Sequence, residues 1–150
     1  MILPQNKVLP RLFAVLAALL PTGCLFPGEV PASPLIGTWG GADNDRVTFT
    51  ANAVIVTSDK GQPTTMSAAQ CNGIYKLIYG RMQSVPLRQA FSSQADLQAK
   101  LRQILVQPEY PVADVTCDQG GTTYVLLDDR QMLAVYRDAG VGGLERLNRL

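Results

Sequence analysis

Three cysteines and the absence of histidine determine much of the chemistry available to this 150-residue chain. Without histidine, the chain lacks the usual general base, the commonest metal ligand and the usual pH switch. Its carboxylates form no recognisable catalytic motif, and Ser58 and Lys60 lack the S-x-x-K spacing of an activated serine nucleophile. We therefore expect a protein that is not an enzyme and that uses neither a metal nor a cofactor.

Two acidic segments offer oxygen ligands to a cation. Asp43-Asn44-Asp45 lacks the glycine and the distal glutamate of a calcium loop, and Asp128-Asp129 lies between two strand-like runs. Both segments are therefore predicted to be solvated turns rather than metal sites.

The N-terminus has the pattern of an export signal. Lys7 and Arg11 supply positive charge around the start of an apolar run from Leu12 to Leu20. The nine residues of this run are too few for a helix to cross a bilayer core about 30 Å thick, which takes about 20. Residues 1–23 are therefore predicted to be a secretory signal that is removed from the mature protein.

The residues at the end of this signal resemble the lipobox of bacterial lipoprotein precursors. Thr22 and Gly23 fill its two small positions before Cys24, while Pro21 stands where the pattern prefers leucine. The resemblance implies that Cys24 receives a diacylglycerol and becomes the new N-terminus. Each buried CH₂ of such a lipid adds about 0.8 kcal/mol of membrane affinity. The protein is then exported and anchored to the bacterial membrane, facing the periplasm or the cell exterior. An ordinary signal cleaved nearby and a retained anchor are the alternatives.

The odd number of cysteines, three, agrees with a lipid on Cys24. Cys71 and Cys117 then remain as an even pair in an oxidising compartment, and we expect them to form a disulfide. The loop-closure model gives such a bridge about 4 kcal/mol of stabilisation. Two separate buried thiols are the alternative.

The charge balance argues against a nucleic-acid partner. Residues 24–150 contain 11 basic and 12 acidic residues, so the +1 net charge of the whole chain belongs to the signal. This balance indicates no basic patch for nucleic acid or anionic lipid. Residues 24–34 include three prolines and are predicted to be the lipidated cysteine and an extended tether.

Residues 35–150 are predicted to be a single β-rich domain of mainly β (α+β) class. We expect a small antiparallel barrel or a curved sheet of seven to eight strands, with one inserted helix over 94–106. The tail from 139 fits either a short helix or a closing strand. The strand-like runs begin at Leu35, Arg46, Ala53, Gly73, Val112, Thr122 and Met132, with a short polar run within 64–70.

The start of this domain resembles the lipocalin-like barrels. Gly37-Thr38-Trp39 matches the G-x-W that opens the first strand in that family. The resemblance implies that Trp39 plugs one end of a barrel and that an arginine from a late strand packs across it. Arg137 is the first candidate and Arg146 the second. The inserted helix and the short chain depart from the family.

Several of the tyrosines alternate along predicted strands, which favours core or barrel lining over a binding surface. They are Tyr75, Tyr79, Tyr110, Tyr124 and Tyr136. The function predicted from all these features is a non-catalytic, lipid-anchored cell-envelope protein that binds or helps to assemble another envelope macromolecule, with a protein as the expected partner. The alternatives are a lipocalin-like carrier of a small apolar ligand and an inhibitor of an extracytoplasmic hydrolase.

Overall fold

The computed structural model describes residues 32–89, 91, 93–118, 120–138 and 141–150, with the backbone alone at Val141. The predicted signal, the lipidation site Cys24 and the tether up to Pro31 lie outside the described residues. Within the described ranges, no helix is both long enough and apolar enough to cross a membrane.

The described residues form nine strands, two α-helices and one turn of 3-10 helix at Ala42–Asn44. The helices are α1 (Ser84–Gln89) and α2 (Ala95–Ile104). The strands are β1 (Gly37–Gly40), β2 (Arg46–Phe49), β3 (Val54–Thr57), β4 (Thr64–Thr65), β5 (Tyr75–Gln83), β6 (Glu109–Cys117), β7 (Gly120–Leu126), β8 (Gln131–Asp138) and β9 (Val141–Arg149).

All strand pairs are antiparallel and belong to one sheet, in the order β4-β3-β2-β1-β9-β8-β7-β6-β5. Two meanders, β1 to β4 and β5 to β9, are joined where the first strand pairs with the last, with Trp39 opposite Arg149. The sheet therefore ends at the two-residue strand β4 on one side and at the nine-residue strand β5 on the other.

The predicted mainly β class and curved antiparallel sheet are confirmed. The sheet has nine strands instead of seven or eight because Thr64–Thr65 pairs as a short edge and the tail forms β9. The tail is a strand because it pairs along its length with β8 and buries Leu147 in the core. The helix expected over 94–106 is α2, and the shorter α1 precedes it.

The concave face of the sheet packs on itself and makes a half-barrel. Phe49 on β2 meets Tyr79 of β5 and Tyr124 of β7 edge to face, with ring centroids 6.4 and 4.8 Å away. The Tyr79 hydroxyl donates to the carbonyl of Thr50 in the β2–β3 turn. The completely buried side chains on this face include Leu35, Trp39, Phe49, Val54, Met132 and Leu147.

The two helices cover part of the convex face. Leu101 and Leu105 are fully buried in a second cluster with Val125, Leu133 and Val135 of β7 and β8. Strands β7 and β8 therefore have both faces covered, and their apolar runs are buried without alternation. Strand β5 keeps an alternating pattern because its convex side is largely exposed.

Candidate functional site

Trp39 closes one end of the half-barrel core. Its ring is completely buried, and its Nε1 donates to the Leu35 carbonyl at 2.9 Å. The guanidinium of Arg149 lies over the ring, with Cζ 4.2 Å from the ring centroid. A Cβ at Gly37, where φ is +132°, would lie 3.1 Å from Arg149 Nη1. Glycine therefore permits both the backbone conformation and the close approach of the arginine.

The arginine expected across Trp39 was assigned wrongly. Arg137 instead pairs with Asp114 at 2.7 Å, and Arg146 donates to Gln131. Arg149 takes the place over Trp39 because β9 is the strand that pairs with β1. Since Trp39 is completely buried beneath this arginine, this end of the fold is a packed structural closure.

The disulfide predicted from cysteine parity is present. Cys71 is bonded to Cys117, with the two Cα atoms 4.8 Å apart and a sequence separation of 46. The bridge ties the segment that precedes β5 to the end of β6. Beside it, Asn72 Nδ2 donates to Asp118 Oδ2 at 2.9 Å. The start of β5 is thus held covalently against its neighbour.

A cavity of about 280 Å³ opens at the other end of the concave face. Val54, Val56 and Met66 from β3 and the β4 region form one wall, and Tyr124 and Tyr136 contribute to the opposite wall. This volume lies just below the range of roughly 300–1,000 Å³ that is usual for small-molecule sites. The cavity is therefore a shallow, mainly apolar recess.

Arg137 and Asp138 are charged residues in the lining of this recess, and Tyr136 of the lining is bonded to Glu145. The Glu145 carboxylate accepts the Ala42 N–H at 3.0 Å and the hydroxyl of Tyr136. Burial raises the pKa of Tyr136, and the neighbouring Glu145 raises it further. Burial also raises the pKa of Tyr124 to about 12. Both phenols therefore stay neutral at physiological pH and offer hydroxyl groups.

The tyrosines largely follow the predicted assignment to core and lining. Tyr110 and Tyr124 are buried, Tyr75 and Tyr79 are half-buried against the concave cluster, and Tyr136 is the most exposed of the five, at 36%.

The acidic turns have structural partners. Asp45 accepts the backbone N–H of Asp59, and Asp128 accepts the N–H groups of Arg130 and Gln131. In the part of the chain that the structure describes, no group of three or more potential metal-ligating side chains comes together.

The long edge strand β5 has a free side. Asp118 N–H bonds to the Ile74 carbonyl, and Ser84 N–H bonds to the Pro108 carbonyl, so the even-numbered residues of β5 face β6. Backbone groups alternate between the two sides of an antiparallel strand. The N–H and C=O groups of Tyr75, Leu77, Tyr79 and Arg81 therefore point away from the sheet, where no strand of the described sheet pairs with them. We call this free side, from Tyr75 to Gln83, the β5 edge.

Exposed apolar side chains lie on the β5 edge and immediately before and after it in sequence. Ile74, Ile78 and Val85 are 53%, 46% and 53% exposed. They account for half of the six large hydrophobic side chains that are exposed within the described residues; the others are Val106, Tyr136 and Leu150. Exposed apolar area beside unpaired backbone groups is typical of a surface that accepts another chain.

The stretch of sequence that contains β5 lacks acidic residues. Residues 60–95 contain Lys60, Lys76, Arg81 and Arg88 and no acidic residue, whereas the rest of the mature chain has seven basic and twelve acidic residues. Arg81 is bonded to Glu109 at 2.5 Å, and Arg88 bonds within α1. Lys76 is exposed and makes no salt bridge within the described ranges. The even overall charge balance therefore conceals an acid-free stretch, whose β5 residues lie against Glu109 and Asp114 of the paired strand β6.

Comparison with protein-family models, with curated proteins and with solved structures found no match to this chain.

Two features were not predicted from the sequence: the contact of Arg149 with Trp39 and the β5 edge. The acid-free stretch over 60–95 was the visible signal for the second feature.

Proposed function

We propose that this chain is a lipid-anchored protein of the bacterial cell envelope and that its β domain binds another envelope protein through the β5 edge. The observation that carries the binding role is the nine-residue edge strand with outward-pointing backbone groups and exposed Ile74 and Ile78. Main-chain hydrogen bonds to such an edge supply affinity, and the alternate side chains supply specificity.

The anchor is proposed from the sequence alone. Cys24 lies eleven residues before Leu35, the first residue of the buried core. A chain of that length spans at most about 3.3–3.6 Å per residue, so the tether can hold the domain roughly 40 Å from the membrane surface. A domain held at this distance meets partners that are embedded in, or attached to, the same membrane.

Metabolic labelling tests the anchor. Radiolabelled palmitate should enter the wild-type protein and should be lost in Cys24→Ser. Cys71→Ser is the matched control, since it removes a cysteine from the disulfide and should leave the label in place. Label that persists in Cys24→Ser rejects the proposal.

Position-specific crosslinking in cells tests the binding surface. A photoreactive amino acid at Ile78 should give one dominant adduct with an envelope protein, whereas the same group at Thr64, on the opposite sheet edge, should not. Equal adducts from both positions, or none from Ile78, would reject the β5 edge as the binding surface. An adduct with an extracytoplasmic hydrolase would favour the alternative in which the protein is its inhibitor.

The 280 Å³ recess favours a second candidate, a carrier of a small apolar ligand. The rest of the concave face is filled by side chains, so the ligand is confined to the recess. Native mass spectrometry of the gently purified protein should then show a bound small molecule. Val56→Phe, which places a ring in the recess, should abolish binding of this small molecule. A wild-type spectrum without added mass rejects this candidate.

A further inference from the structure

The charge and side-chain order of the β5 edge point to the kind of segment that it binds. We infer that the edge pairs with an extended, acidic segment of the partner protein, which adds a tenth strand to the sheet. This inference rests on the proposed function and names the chemistry of the partner at the same site.

Charge complementarity is the first argument. Lys76 is exposed, makes no salt bridge among the described residues and is the charged side chain in the row Lys76, Ile78, Gly80 and Met82 of β5, within an acid-free stretch of 36 residues. Opposite charges that face each other across two strands stabilise the pair, and like charges destabilise it. A carboxylate beside Lys76 is therefore favoured, and a basic strand is disfavoured.

The convex side of β5 supplies the second argument. Lys76, Ile78, Gly80 and Met82 alternate on this side, and a Cβ placed on Gly80 meets nothing within 4 Å. Along this side of the strand, the charged Lys76 is followed by the exposed Ile78, by an open space at Gly80 and by the half-buried Met82. A matching strand carries an acidic residue near Lys76, an apolar residue near Ile78 and a bulky ring that fills the space over Gly80.

The same charges argue against a second copy of this chain as the occupant. Pairing two β5 edges would place the Lys76 side chains of both copies in one ribbon, with no carboxylate on the convex side of either β5 to neutralise them. Arg81 adds no net charge to this ribbon, because Glu109 on β6 neutralises it. A heterologous acidic strand avoids this concentration of positive charge.

Synthetic peptides test the inference with the full-length protein in a neutral detergent. The probe is a nine-residue peptide that alternates valine and glutamate around one central phenylalanine, and its control has lysine at every glutamate. We expect the acidic peptide to bind at least about tenfold more tightly than the basic one, with affinity that falls as salt is added. Hydrogen exchange should slow at Leu77, Tyr79 and Arg81.

Charge reversal identifies the site. Lys76→Glu should invert the preference between the two peptides, whereas Lys60→Glu, which reverses an exposed charge in a turn, should leave it unchanged. Melting curves of both variants check that the fold is retained. Equal binding of the two peptides, slowed exchange elsewhere, or a dimer that blocks the peptide would overturn the inference. Binding to anionic vesicles in place of the acidic peptide would overturn it as well.

The experiments distinguish a failure of the acidic-strand inference from a failure of the proposed function. If Ile78 crosslinks to an envelope protein but the acidic peptide does not bind, the acidic-strand inference is rejected and the proposed function stands. If Ile78 gives no adduct in cells, the proposed function is rejected whatever the peptides do.

Discussion

Arg149 lies over the ring of Trp39, with its Cζ atom 4.2 Å from the ring centroid. The same guanidinium donates to the carbonyls of Pro34, Ile36 and Asp129. One side chain from the last strand thus contacts the start of the domain, the tryptophan and the turn between β7 and β8.

We predict that Arg149→Ala lowers the free energy of unfolding by about 2 kcal/mol, because it removes a cation–π contact and several charge-assisted hydrogen bonds. Arg149→Lys should recover only part of this loss, since an ammonium lacks the planar fork of donors. Urea denaturation followed by the fluorescence of the single tryptophan measures both values. Arg146→Ala, which removes one bond to Gln131, is the control and should change stability by less than about 0.5 kcal/mol. Equal effects of the two alanine substitutions would contradict the assignment.

The Cys71–Cys117 bridge closes a loop with a sequence separation of 46 residues. Replacing both cysteines with alanine should lower the free energy of unfolding by about 4 kcal/mol, because the unfolded chain regains the freedom that the loop removes. Urea denaturation with and without a thiol reductant measures the change. The reductant should destabilise the wild type and leave the double variant unaffected. A wild type insensitive to complete reduction would show that the bridge does not stabilise the fold.

Two strand glycines should respond in opposite ways to the same substitution. A Cβ at Gly142 would lie 2.2 Å from the ring of Phe91, whereas one at Gly80 would meet nothing within 4 Å. Phe91 is buried and has little room to move. We therefore expect Gly142→Ala to lower stability by about 2 kcal/mol and Gly80→Ala to be neutral or slightly stabilising. Thermal denaturation of the two variants, measured side by side, distinguishes this outcome from a uniform effect of alanine in strands.

Tyr124 should make the fold sensitive to alkaline pH. Burial raises its pKa to about 12, while an unfolded tyrosine titrates near 10. Between these two values the folded state holds more protons than the unfolded state, so stability is complete below about pH 10 and is lost as the pH rises towards 12. Urea denaturation from pH 9 to 12 should show this decline in the wild type and a weaker one in Tyr124→Phe. Parallel curves for the two proteins would exclude this tyrosine as the source.

Much of the strand pattern could be predicted from the sequence, because the alternation of apolar and polar residues matches the buried and exposed faces of the folded strands. Val47 and Phe49 alternate in the run that begins at Arg46, and both are buried in the concave core. Tyr75, Leu77 and Tyr79 alternate in the run that begins at Gly73, and they pack against the same cluster. Leu97, Leu101 and Leu105 recur at helical spacing within 94–106, and Leu101 is completely buried.

The contact between Arg149 and Trp39 could not be predicted from the sequence, because it depends on which strands are neighbours in the sheet. A tail with three glycines and regularly spaced leucines fits a helix or a strand equally well until β8 and β1 pair with its two sides. Once the tail is a strand between them, its last arginine lies opposite Trp39, and the earlier candidates Arg137 and Arg146 bond elsewhere.

The amino-acid sequence by itself determined the β-rich class, the disulfide partners and the local faces of the strands, since these depend on residue type, parity and short-range periodicity. Only the tertiary structure decided that the two meanders join where β1 pairs with β9, and that β5 is left with a free edge. The physical reason is that strand pairing joins residues far apart in sequence. The side of a strand that remains unpaired is therefore known only after every other strand has found its neighbour.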